Sequence, residues 1–307
     1  MKVYQGHPST WNPGGDPHAV AIGVFDGVHR GHRAVFGALA EASDDQPLVA
    51  MTFSTHPDGV VTGAPAPPAL TTLERRLELF EEVGLYGAAV IDFDADFMRL
   101  APDQFVMKYL VDGLAASVVA VGAGFRFGHQ ASGNVDTLRL LGQQHGFGLV
   151  STPILTIHGT EVRSSAIRAA IATGGVSLAA RMLGRPFAVD GAVVPGDARG
   201  RTIGFPTANV EMPQGFVRPA GGVYAVRCLV DGVIHDGVCN VGTRPTFGGG
   251  PERIEVHLID ESLDLYDKMV RVSFIGRIRN EQRFASVDAL QAMIADDIVR
   301  AREILSL

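Results

Sequence analysis

The chain has almost no cysteine. Its two, Cys228 and Cys239, form no C-x-x-C pair, which excludes a disulfide framework and a thiolate metal cluster. Both lie in apolar, strand-like runs and are expected as buried, reduced thiols. No apolar run approaches the ~20 residues of a membrane-spanning helix. The opening residues, Met1-Lys2-Val3-Tyr4-Gln5-Gly6, contain no apolar core of a signal peptide. A soluble, cytoplasmic protein with no membrane partner is expected. A basic excess is missing too: 26 Lys and Arg stand against 33 Asp and Glu, a formal net charge of −7 at pH 7. That balance argues against sequence-independent nucleic-acid binding, though not against a nucleotide, whose phosphates need only local amides and cations. Repeats and low-complexity tracts are absent. What is present, 307 residues that are 46% hydrophobic and 19% charged, describes a globular chain with ample core and room for one large or two ordinary domains.

The chemistry concentrates first in residues 19–32, Ala-Val-Ala-Ile-Gly-Val-Phe-Asp-Gly-Val-His-Arg-Gly-His. An apolar strand-type run turns at Phe25-Asp26-Gly27 and re-emerges with helical spacing at Val35 and Leu39. A helix that begins at such a turn offers unpaired N–H groups and a positive dipole end to an anion. His29 and His32 bracket Gly31 there, a small residue that lets a phosphate approach the backbone while both rings reach it. Gly23, Phe25 and Asp26 belong to the same phosphate-binding turn.

Strands and helices then alternate. Strand Pro47–Phe53 ends in Ser54-Thr55-His56-Pro57. Residues 58–69, rich in Gly, Pro and Ala, read as a mobile loop. A helix opens at Thr71-Thr72-Leu73-Glu74, a capping-box spacing, with Leu73, Leu77 and Phe80 on one face. Strand 88–93, helix 102–114, strand 117–121, helix 134–144 and strand 147–152 follow. This order implies a parallel α/β sheet with ligands at the carboxyl ends of its strands. Phe125-Arg126-Phe127-Gly128 falls at one such end. Arg163-Ser164-Ser165-Ala166-Ile167-Arg168 opens a helix after the last strand.

The stretch G-V-F-D-G-V-H-R-G-H resembles the H-x-G-H signature of the nucleotidyltransferase superfamily. In its fuller form it is similar to the adenylyltransferase half of bacterial bifunctional riboflavin kinases/FAD synthetases. That resemblance implies a Rossmann-like nucleotidyltransferase domain. It implies that His29, His32, Ser165 and Arg168 stabilise the triphosphate while FMN phosphate attacks the α-phosphorus. It also implies that Ser164 contacts phosphate and that His56, Phe125, Arg126 and Phe127 lie near the flavin. One departure stands out: the family usually has Asp or Asn where this chain has Gly124, which removes a polar contact relevant to adenylyl transfer.

Beyond Gly184-Arg185-Pro186 the pattern turns to short alternating runs with Gly- and Pro-rich turns, the grammar of an antiparallel β-barrel or sandwich. A last helix, about 286–305, carries Leu290, Ile294, Ile298, Ala301 and Leu305 in one stripe and is expected to pack on the barrel. The boundary is placed at 184, giving domains 1–184 and 185–307. Gly196-Asp197-Ala198-Arg199-Gly200-Arg201-Thr202-Ile203-Gly204 can form a loop tight enough to present amides to phosphate. Thr207 and Asn209, two apart in extended chain, offer two neutral oxygens of the kind a Mg²⁺–phosphate complex accepts.

This stretch resembles the G-R-x-x-G-F-P-T-A-N signature of riboflavin kinases. By that resemblance Gly196, Arg199, Gly200, Arg201 and Gly204 hold ATP phosphate, and Thr207 and Asn209 hold Mg²⁺. Tyr224 and Asn240 lie near flavin, and Glu255 is the general base for the riboflavin 5′-hydroxyl. The implied activity is twofold: riboflavin to FMN with ATP, then FMN to FAD with release of pyrophosphate. The expected partners are these small molecules, with the chain a monomer or weak homo-oligomer. Two other readings fit parts of the pattern. One is a monofunctional riboflavin kinase whose first domain is inactive through Gly124; the other is a non-catalytic flavin or nucleotide sensor, against which the intact histidines and Glu255 argue.

Overall fold

The computed structural model describes residues 1–12, 14–196, 200, 203–242, 253–261 and 263–306. The chain divides by packing into two compact units, Met1–Ser164 and Ser165–Leu307.

In the first unit six strands, β1 (Lys2–Tyr4), β2 (His18–Ile22), β3 (Leu48–Phe53), β4 (Gly87–Ile91), β5 (Ala116–Gly122) and β6 (Gly148–Thr152), form one sheet. Their order is β1-β4-β3-β2-β5-β6, and every pairing is parallel. The chain runs from β2 to β3 and β4 on one side, then returns to lay β5 on the other. That reversal opens a crevice at the carboxyl ends of β2 and β5, where doubly wound sheets bind ligands. β2 is buried throughout, and its alternation separates two cores. Ala19 and Ala21 face helices α1 (Arg30–Glu41) and α3 (Leu73–Glu82), whose Val35, Phe36, Leu39, Leu79 and Phe80 fill that side. Val20 and Ile22 face Tyr109, Leu110 and Leu138 on the other.

Between α1 and α3, residues 58–69 are not all loop. The short helix α2 (Pro57–Thr62) forms because His56 caps it, Pro57 supplies a preset φ at its first position and Gly63 ends it at φ 64°. Thr72, not Thr71, caps α3, accepting from Arg75 N–H at 3.1 Å. The face of α3 that is buried is Arg76, Leu79 and Phe80. Helices α4 (Ala95–Met98), α5 (Pro102–Phe105, continuing as a π-helical turn Val106–Val111) and α6 (Val135–His145) follow, then a hairpin, β7 (Thr156–Ile157) and β8 (Thr160–Glu161).

The second unit is a closed antiparallel barrel. Its strands are β9 (Phe187–Val194), β10 (Ala208–Glu211), β11 (Gly222–Val230), β12 (Val233–Val241), β13 (Arg253–Leu258) and β14 (Met269–Arg279), in the order β10-β13-β12-β11-β14-β9. The last helix, α9 (Val287–Leu305), lays Ala301 and Leu305 on Val223, Ala225 and Val238 of the outer barrel face. Helices α7 (Ser164–Ala172) and α8 (Val176–Leu183) pack almost wholly with this unit, whereas the sequence boundary at 184 set them before it. Arg277 on β14 is one of the ties. Its guanidinium donates to Gly221 O at 2.6 Å and Thr173 O at 3.5 Å, stapling the α7–α8 turn to the barrel. Both cysteines are buried, and burial pushes the Cys228 thiol up to about 11.

Candidate active sites

The turn from β2 into α1 is held from three sides. The Asp26 carboxylate, 2% exposed, accepts N–H bonds from Leu70 and Thr71 at 3.0 Å and the Thr71 hydroxyl at 3.2 Å. Thr71 is thereby drawn away from the helix cap. Ser164 Oγ, at the end of the first unit, donates to Asp26 O at 2.9 Å. Beneath it lies a buried guanidinium that sequence reasoning missed. Arg76 Nη1 donates to Thr52 Oγ1 (3.1 Å) and Phe53 O (3.0 Å), and Thr52 Oγ1 donates to Val24 O (2.9 Å). Desolvation lowers the Arg76 pKa, and the nearby Asp26 charge opposes that shift.

So braced, the turn can hold Phe25 at φ 52° and Val28 at φ 39°, left-handed values uncommon for such side chains. The Phe25 ring folds back over Gly23, where a Cβ would lie 2.9 Å from it; this is why glycine stands there. The same ring meets His32 edge-on at 5.2 Å, and His32 stacks on His29 with centroids 3.5 Å apart. His29 is the N-cap of α1, its Nδ1 accepting the His32 N–H at 3.2 Å. An accepting Nδ1 leaves the ring proton on Nε2, which is the tautomer that donates to an anion. Gly31 lies under the His29 ring, 3.1 Å from where its Cβ would be.

At the carboxyl end of β2, with Gly23 in its wall but neither histidine, opens a cavity of about 790 Å³, within the range of small-molecule sites. Gly23, Phe53, Phe97, Phe125, Arg126 and Phe127 are among its walls, and Phe125 stacks on Phe127 at 5.4 Å. An aromatic slot of this kind suits a flat ring system. His56 is not a wall residue; it caps α2, whose Pro57 and Asp58 line the cavity. Gly124 borders the space, and a Cβ there would meet nothing within 4 Å. Ser165 and Arg168 lie in α7, within the second unit.

On the barrel the strand register sets five residues abreast: Asn209, Glu255, Asn240, Val223 and Arg279. Ile254 and Val256 alternate with Glu255 and are buried inside the barrel, so Glu255 faces outward. It lines a cavity of about 330 Å³ with Asn240, Phe205, Thr207 and Phe284. A second cavity of about 570 Å³, walled by Val193, Leu258, Leu265 and Tyr266, has Thr207 in its lining as well. His257, not singled out in the sequence, holds the chain just before Thr207: its Nδ1–H donates to Pro206 O at 2.8 Å.

The glycines of this loop are spatial necessities. Gly200 O accepts the amides of Ile203 and Phe205, and a Cβ on Gly200 would strike Phe205 O. A Cβ on Gly196 would strike the Asn209 amide, and Gly204 has φ 85°. Arg199, Arg201 and the run Thr243–Phe247 lie outside the described residues. Tyr224 corrects an expectation: it is fully buried, its hydroxyl donates to Ala220 O at 2.5 Å, and its ring meets Phe274 edge-on. Val223, one residue earlier, takes the place on the cavity wall.

Comparison with known proteins follows this division. A family model described as FAD synthetase matches residues 14–166, and one described as riboflavin kinase matches residues 183–305. The bifunctional riboflavin kinase/FMN adenylyltransferase of Escherichia coli strain K12 is 42% identical over 291 residues, covering 94% of this chain and 93% of that protein. Its counterpart in Bacillus subtilis strain 168 is 37% identical over 286 residues, covering 91% and 89%. A crystal structure described as a macrolide-efflux protein from Streptococcus pneumoniae has a TM-score of 0.89 at 29% identity, covering 98% of this chain and 99% of that one.

Proposed function

Because this chain belongs to the bifunctional riboflavin kinase/FMN adenylyltransferase family, we propose that its two reactions run at the two sites just described. The activities are ATP-dependent phosphorylation of riboflavin to FMN and adenylylation of FMN to FAD. The observation that carries the assignment is Thr207, which borders both barrel cavities. A kinase needs two substrates to meet at the transferring phosphate. Riboflavin takes the smaller cavity with its 5′-hydroxyl at Glu255, and ATP takes the larger with its γ-phosphate at Thr207. Glu255 accepts the hydroxyl proton as the oxygen attacks the γ-phosphorus, and ADP leaves. Asn209 and Asn240, one on each side, orient that carboxylate.

The donor set fits Mg²⁺. Thr207 Oγ1 and Asn209 Oδ1 are hard, neutral oxygens, and Gly196 keeps a side chain away from the Asn209 amide. No cluster of three His, Cys, Asp or Glu suited to a metal exists among the described residues. A few protein oxygens plus substrate phosphates are what Mg²⁺ takes. When bound, it supplies charge neutralisation on the transferring phosphate.

At the sheet, His29 Nε2–H and His32 hold the ATP phosphates over the α1 N-terminus while an FMN phosphate oxygen attacks the α-phosphorus and pyrophosphate leaves. Ser165 and Arg168 are assigned to the same chemistry by their motif, and Phe125 and Phe127 to the flat ring of the flavin. The kinase domain is taken from residue 185, since the kinase-type match resumes at 183. A cytoplasmic setting is proposed from the need for ATP.

Glu255→Ala abolishes FMN formation from riboflavin and leaves FAD formation from added FMN intact; His29→Ala with His32→Ala does the reverse. Product chromatography checks both. Loss of both activities from either folded variant would contradict the two-site assignment.

A further inference from the structure

We propose that the buried Arg279–Asp297 ion pair is a positioning device of the kinase site: it fixes the chain after β14, with its Phe284 ring, against the flavin cavity. This rests on the kinase reading of Glu255 and Thr207. Arg279 is the last residue of β14. Its Nε donates to both Asp297 oxygens at 2.8 and 3.1 Å, and Nη2 donates to Oδ2 at 2.7 Å. Nη1 donates to Asn280 O at 3.0 Å, and the guanidinium lies 5.6 Å from the Phe284 ring centroid. One planar group thus grips the helix, the next peptide and the aromatic ring together.

Asp297 is an odd residue for its place. It is 2% exposed, on the side of α9 that also carries Ile294, Ile298 and Ala301. Burying an ion pair brings a desolvation cost that a well-packed apolar pair of similar volume avoids, so stability alone does not call for charge here. Geometry does. Arg279 and Asp297 both border the cavity, together with Phe284, Leu290 and Ile294. The same helix holds the opposite wall, because Gln291 Nε2 donates to Ile203 O at 3.0 Å, just ahead of Phe205-Pro206-Thr207. α9 therefore sets the spacing between the Phe284 wall and the Thr207 wall.

Arg279 stands in the cross-strand row of Glu255, three strands away, roughly 14 Å along the sheet at ~4.8 Å per strand. A riboflavin whose hydroxyl meets Glu255 directs its planar ring toward the Phe284 end. A misplaced Phe284 weakens ring binding and leaves the chemistry at the far end intact.

The test is steady-state kinetics on the full chain. Arg279→Lys keeps the charge and loses the fork. It raises the KM for riboflavin about tenfold, with kcat and the KM for ATP changed less than about twofold. Arg279→Met with Asp297→Leu replaces the pair by apolar side chains; it melts within a few degrees of the parent and still shows the raised riboflavin KM. FAD formation from FMN is unchanged in both. A double variant that melts normally with an unaltered riboflavin KM would show the pair to be structural only. A lowered kcat at unaltered KM in Arg279→Lys would likewise overturn the role. Glu255→Gln, assayed alongside, reports on the site assignment: if it loses phosphorylation while the arginine variants bind riboflavin normally, the positioning role alone fails.

Discussion

Asp26 sits one turn from the histidine pair, and the sequence pattern groups it with the phosphate-binding residues. Its carboxylate instead faces inward, accepting from Leu70 N–H, Thr71 N–H and the Thr71 hydroxyl, while Thr71 also takes the Gly27 N–H at 3.0 Å. A carboxylate is suited to this because it is acceptor-only; an amide of the same shape puts an NH₂ against N–H donors. Asp26→Asn is therefore expected to destabilise the protein by about 1–3 kcal/mol, the cost of buried polar groups left without partners, measured by urea unfolding. It also releases the turn that keeps Phe25 at φ 52°, so FMN adenylylation falls while riboflavin phosphorylation holds. Unchanged stability would mean that the carboxylate is not a structural tie. Arg76, Asp297 and His257 share a property that hides them from sequence reading. On a helix or strand a charged residue reads as a solvated face, and only the partner brought from elsewhere in the chain, Thr52, Arg279 or Pro206, shows it to be buried or bonded.

The N-cap and first turn of helix α1 carry both histidines of the proposed adenylylation site. His29 caps the helix by accepting the His32 N–H, and that cap places the two rings in a stack. Capping and chemistry can be separated, because asparagine is a better cap than histidine but has no ring. His29→Asn is expected to keep the melting temperature within about 2 °C, whereas His29→Ala loses about 1 kcal/mol of capping. Both lose FMN adenylylation by about 100-fold or more. Retained adenylylation in the asparagine variant would leave His29 only a cap.

At this scale the sequence was largely legible. The alternation of strands and helices before 184 and of short strands after it appears as a parallel sheet and a closed barrel. The misses have physical causes. α2 arises in a Gly/Pro-rich stretch because His56 and Pro57 happen to suit a helix start. That α7 and α8 pack with the barrel unit, while the proposed domain boundary stays at 184, rests on contacts distant in sequence, Arg277 with Thr173 O among them. Tyr224 was set near flavin by resemblance alone; Gly222–Val226 is apolar throughout and buried at every position, so no alternation marks which side faces the cavity.

For the whole molecule, the two proposed reactions are assigned to different places: a histidine pair at a helix start and an aromatic slot in the sheet unit, and Glu255 in a cross-strand row beside two cavities that share Thr207 on the barrel. The net charge of −7 is no obstacle, since phosphate is met by local N–H groups and a few cations and not by an overall basic surface. Gly124 departs from the family pattern named for the sequence and leaves open space on the cavity wall. The aromatic slot and the histidine pair are otherwise complete. The measurement that tests the account most directly is chromatography of products after the purified chain is incubated with ATP, Mg²⁺ and either riboflavin or FMN. The account predicts FAD from FMN, and FMN followed by FAD from riboflavin. FMN from riboflavin with no FAD from either flavin would contradict it.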